Sequence, residues 1–120
     1  MLIAMAVLLG AGPALAQRAD GTYPATLACD AAPGARGVLR APATVEIGAG
    51  RARYSIRAEG GTETGSGTLD GRQLVLSGRG RGYEARYAGE VRGQGGLLTG
   101  SHTGAGGTRR CQLLIGDGRG

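Results

Sequence analysis

Eight short segments of two-residue alternation follow one another along this chain, and nearly every gap between them is a glycine turn. The pattern is clearest where Tyr83, Ala85, Tyr87, Gly89 and Val91 alternate with Glu84, Arg86, Ala88, Glu90 and Arg92. Ala52, Tyr54, Ile56 and Ala58 repeat it against Arg53, Ser55, Arg57 and Glu59. A period of two marks strands with one buried face. Weaker segments occupy residues 23–29, 43–47, 63–69, 97–103 and 111–115, and Leu74 and Leu76 mark one more. Past the first residues, no window carries a helical period.

Six of the seven connections are short: Gly48-Ala49-Gly50, Gly60-Gly61, Asp70-Gly71, and residues 79–82, 93–96 and 104–107. Tight hairpins need residues that accept positive φ, and the chain contains no Asn, so glycine fills those positions. Hairpins this short join only antiparallel neighbours. The expected fold is therefore all-β, an eight-stranded antiparallel up-and-down meander, closed into a small barrel or flattened into a sandwich.

The ends of the chain bear on closure. Residues 1–16 read MLIAMAVLLGAGPALA, an apolar run ending in a small-residue Ala14-Leu15-Ala16 site, as in a secretory signal peptide. No Lys or Arg precedes that run. The expected organisation is a signal peptide over 1–16, one β-barrel domain over 17–116 and a flexible tail over 117–120. Export to the periplasm or beyond would place Cys29 and Cys111 in an oxidising compartment. Cys29 ends the first segment and Cys111 starts the last, so antiparallel pairing of those strands would set them side by side. Their disulfide would be the seam that closes the barrel and removes its edges.

The interior looks thin. There is no Phe or Trp, and the inward positions (Tyr23, Leu27, Val45, Ile47, Tyr54, Ile56 and their counterparts) are padded by Ala and Gly. All 14 basic residues are Arg, and the formal net charge is +5. Strands of seven or eight residues would be shorter than the 9 to 11 that span a bilayer, and Arg53, Arg57, Arg86 and Arg92 would face outward. The expectation is a barrel in water, with no membrane span.

Candidate chemistry is sparse. His102 is the only histidine, and its setting among Ser101, Thr103 and glycines reads as surface. A triad drawn from it with Ser101 or Ser77 and Asp70 has no nucleophile elbow around it. Glu84 and Glu90, interleaved with arginines, read as an ion-paired outer face. Gly78-Arg79-Gly80-Arg81-Gly82 lacks the Lys-Ser/Thr and the helix of a phosphate loop, and export argues against nucleic acid as a partner. No catalytic residue, metal ligand or cofactor site is expected, and the chain reads as a non-enzyme.

Three places could bind something. Arg79 and Arg81 form a basic hairpin tip for an anionic envelope component or an acidic protein. Val38 and Leu39, in the long connection 30–42, form an apolar pair between arginines. Tyr54 and Tyr87 would line any interior cavity, suited to a small apolar ligand.

The stretches Asp20-Gly21-Thr22-Tyr23 through Cys29, Gly65-Ser66-Gly67-Thr68-Leu69, and Cys111-Gln112-Leu113 together resemble uncharacterised small secreted or periplasmic β-barrel-like proteins of Gram-negative bacteria. The resemblance implies a disulfide-closed barrel and brings no activity with it. In architecture the meander is similar to lipocalins, avidins and small barrel inhibitors of secreted bacterial metalloproteases. The Gly-x-Trp opening of lipocalins and the tryptophan box of avidins are absent, so no residue carries over from them.

Overall fold

Strands form in sequence order and each pairs antiparallel with the next: β1 (Gly21–Cys29), β2 (Leu39–Gly48), β3 (Arg51–Ala58), β4 (Gly61–Asp70), β5 (Gln73–Gly80), β6 (Tyr83–Arg92), β7 (Gly95–Gly104) and β8 (Gly107–Ile115). β8 returns to pair with β1, so the sheet is a closed barrel. The structure, a computed structural model, describes residues 20–30, 39–58, 60–93 and 95–116. The leader, the tail, Val38 and most of the β1–β2 connection lie outside the described residues. No helix among those described is long and apolar enough to cross a membrane.

Each of the six short connections is two residues long. At the β2–β3 turn Ala49 has φ 54° and Gly50 has φ 77°. Both central residues are thus left-handed, as a primed hairpin turn requires. Ala49 is the single non-glycine with positive φ among the described residues.

The strands run eight to ten residues. That corrects the expected seven or eight, because pairing continues up to the two-residue turns. Length therefore gives no argument about membranes. Arg40, Ala41 and Pro42 also belong to β2 and not to a loop. Pro42 pairs with Thr26 of β1, while the β2–β3 ladder starts only at Ala43. A residue without an N–H is tolerated where its strand has a neighbour on one side only.

Inward parity holds throughout. Leu27, Val45, Ile56, Leu74, Leu76, Leu98, Leu113 and Ile115 are fully buried, with Tyr23, Ile47, Tyr54, Tyr87 and Val91 close to it. The outer face carries the charge: Arg53 pairs with Glu46, Arg79 with Glu84, Arg92 with Glu90 and Arg110 with Asp30, all exposed. Cys29 and Cys111 stand directly opposite each other across the β1–β8 seam and are joined.

Turns do not account for all the glycine. Gly65, Gly78, Gly80 and Gly100 sit inside strands on inward parity. A Cβ at Gly65 or Gly78 would strike Tyr54, at Gly80 it would strike Tyr83, and at Gly100 Tyr87. These glycines are flat seats that let three tyrosine rings lie across the barrel.

Candidate functional site

Those rings converge on one buried carboxylate. β4 turns Glu63, Gly65, Gly67 and Leu69 toward the interior, and Glu63 has no exposed surface. Tyr54 and Tyr87 each donate to its Oε2 at 2.6 Å, and Tyr83 donates to Oε1 at 2.7 Å. His102 Nε2 lies 3.1 Å from Oε1. A carboxylate offers about four lone-pair positions, and here four donors meet them. Burial alone pushes the Glu63 carboxyl up; hydrogen bonds from His102, Tyr54, Tyr87 and Tyr83 together outweigh it and hold the group below its ordinary value. Tyr54, Tyr83 and Tyr87 are all raised above the ordinary phenol value, by burial first and then by their bonds to Glu63.

His102 is buried, which corrects its reading as a surface residue. Its flanks on β7 are glycine, serine and threonine, so no apolar neighbour announced the inward face. Tyr83 stacks on its ring with centroids 4.3 Å apart, and Cys29 Sγ is 3.9 Å from both ring nitrogens. Nδ1 lies 3.3 Å from the Arg109 Nη2, which can only donate, so Nδ1 accepts and Nε2 carries the proton. The Nε2 proton then points to Glu63 and to the Tyr87 hydroxyl at 2.7 Å. His102 thus bonds to Glu63, Tyr87 and Arg109 and to neither Ser77 nor Ser101.

The sulfurs of Cys29 and Cys111 and the His102 ring lie within 4.8 Å of one another, a spacing suited to a metal ion. Both sulfurs are committed to the disulfide, which leaves His102 as the one ligand able to coordinate.

Above this network the barrel opens. A pocket of about 300 Å³ is lined by Tyr83, His102, Arg109, Gly82 and the 104–107 turn region. Arg109 is paired with His102 in the β7–β8 ladder and so shares its inward parity, which places its guanidinium across the mouth. A larger groove of about 680 Å³ lies at the other end, lined both by the outward cross-strand row Thr22, Glu46, Arg53 and Ser66 and by the inward Ile47, Ala52 and Gly67. No buried polar side chain among the described residues is part of its lining.

The residues singled out from sequence are placed differently from one another. Tyr54 and Tyr87 point inward as expected and pack edge to face, 5.6 Å apart. Their hydroxyls bond to Glu63. Arg79 belongs to β5, opposite Glu84 at 3.6 Å, so the tip is not free of acids; only Arg81 and Gly82 form the turn. Leu39 begins β2 and packs against the core, so it is not an exposed patch. Glu63, His102, Tyr83 and Arg109 were not anticipated as a group. Counting back by twos from Leu69 would have put Glu63 inside. Comparison with protein-family models, curated proteins and solved structures finds no match to this chain.

Proposed function

We propose that this chain is an exported, non-catalytic binding module that takes a small ligand at the mouth of its barrel. One observation carries the reading: in a core without Phe or Trp, a buried Glu63–His102–tyrosine network leads to Arg109 in an open pocket. Burying a carboxylate costs several kcal/mol unless it is fully bonded, and an apolar residue would pack the same space at no such cost. A fold that only had to pack has no use for it. The saturated lone pairs of Glu63 leave no free base, which supports binding over catalysis. The charged outer face, with Arg53, Arg79, Arg92 and Arg110 exposed, is unlike the apolar band of a membrane barrel and supports a barrel bathed in water. The signal-like leader and the disulfide support export.

Native mass spectrometry of protein recovered from the periplasm of its own host tests the idea. Wild type should carry a small adduct that Gly106→Tyr loses. Gly106 lines the mouth, and a Cβ there meets nothing within 4 Å. An adduct that persists in this variant, or none in wild type, overturns the mouth as the site.

A second reading is contact with an anionic envelope polymer or an acidic protein. Arg81 favours it, a turn residue with no acid partner among those described. Binding of heparin as a probe should then fall steeply from low to physiological salt, where screening shortens to about 8 Å, and Arg81→Ser should weaken it. Salt-insensitive binding would exclude this reading.

A further inference from the structure

Resting on the mouth as the binding site, we infer that its ligand is a carboxylate, gripped by Arg109, with His102 and Glu63 as the residues that position the guanidinium. Among the described residues, the pocket lining contains one cation, Arg109, and no acid. The buried Glu63 carboxylate beneath the pocket has four donors already on its oxygens, so it neither takes a ligand nor competes for Arg109 directly. Of the five N–H groups of Arg109, one meets His102 Nδ1, and the others have no partner among the described residues. A guanidinium with a free edge matches the two oxygens of a planar carboxylate in parallel hydrogen bonds, which an ammonium cannot do.

Every side of His102 is held. Tyr83 covers one part of the ring, Cys29 Sγ is 3.9 Å away, Nε2 is fixed by Glu63 and Tyr87, and Nδ1 is left to take Arg109. A long flexible side chain anchored at one nitrogen loses less freedom when a ligand arrives. Glu63 fixes the tautomer: with the proton held on Nε2, Nδ1 must accept. The charge of Arg109 is opposed by Glu63 through the imidazole. Arg81, beside the pocket-lining Gly82, supplies a second positive charge near the rim with no acid partner among the described residues. The volume, about 300 Å³, is at the small end of ligand pockets. A compact monocarboxylate fits that size and sign.

Amide and guanidinium NMR of the oxidised chain tests this, with benzoate, its neutral analogue benzamide and inorganic phosphate as probes. Benzoate should shift the Arg109 Nε–H and the amides of Gly104, Ala105, Gly106 and Gly107 in a saturable way, and benzamide should not. Arg109→Gln should abolish the shifts, and Arg109→Lys should weaken binding at least tenfold while keeping the charge. His102→Gln, whose amide can accept from Arg109 and donate to Glu63, should retain binding. His102→Leu should lose it with Arg109 still present, thermal melts confirming that each variant is folded. If phosphate or benzamide matches benzoate, or Arg109→Lys binds as wild type, the carboxylate assignment is wrong and the mouth survives as the site. If His102→Leu binds normally, the positioning role is wrong. If no probe moves these signals, both the ligand class and the mouth fall.

Discussion

Tyr87 bonds two ways at once: its hydroxyl donates to Glu63 Oε2 and lies 2.7 Å from His102 Nε2. Tyr87→Phe keeps the ring on its Gly100 seat and removes both bonds. It should cost about 1.5 to 3 kcal/mol in urea denaturation, the range for hydrogen bonds to a charged group. A loss under half a kcal/mol would mean the network carries little of the fold. The same tyrosines set the alkaline limit. Their folded-state values are raised above the ordinary 10.0 of a free phenol. Unfolded phenols release protons near pH 10 while the folded ones resist, so the stabilisation is complete below that pH and is lost as pH rises above it. Phenolate absorbance at 295 nm should therefore grow together with cooperative unfolding, not before it. Sequence showed this scale unevenly. Tyr54 and Tyr87 sat in segments where alternating apolar residues fixed the inward side. Glu63 and His102 sat between glycines that carry no inward signal of their own, so their burial could be read only by counting parity along the strand from Leu69 and Leu98.

At the scale of strands and turns the chain was largely legible: all eight strands, their order and their hairpin connections follow from alternation and glycine. What alternation could not show is that glycine does two jobs, in turns and under tyrosine rings. Two substitutions separate them. Gly78→Ala puts a Cβ into the Tyr54 hydroxyl and the β4 backbone, and overpacking of this kind costs typically 1 to 3 kcal/mol. Gly106→Ala, in a turn with open space around it, should stay within roughly 0.5 kcal/mol of wild type. Equal effects would mean that the seats are not needed. In the β2–β3 turn, Ala49 holds a left-handed conformation that costs an L-residue about 1 to 2 kcal/mol. Ala49→Asn should recover part of that and raise the melting temperature, since Asn is the favoured first residue of such a turn. A lowered melting temperature would mean the turn is not strained there.

For the molecule as a whole, the decisive contact is the seam that closes the barrel. The β1–β8 seam pairs five residues, from Ala25 opposite Ile115 to Cys29 opposite Cys111, fewer than any other ladder of the barrel. It also joins the first strand to the last, the pairing of greatest sequence separation in the barrel, so its closure costs the most chain entropy. The disulfide spans 82 residues at this shortest seam, and in the chain-entropy picture a loop of that length contributes about 4 to 5 kcal/mol. The sequence pointed to this bond because an even number of strands makes the first and last antiparallel, which sets the end of one beside the start of the other. It could not point to the second role, since Cys29 also borders His102 and ties the seam to the network under the mouth. Replacing Cys29 and Cys111 by Ala should therefore do two things. Urea denaturation should show a loss of several kcal/mol, and hydrogen exchange should rise first at the amides of residues 25–29 and 111–115. If the seam opens before the rest, exchange should also rise at His102 but not in the β3–β4 ladder. Uniform exchange through the barrel would show that the eight strands open together and that the bond stabilises the whole sheet without guarding any one part of it.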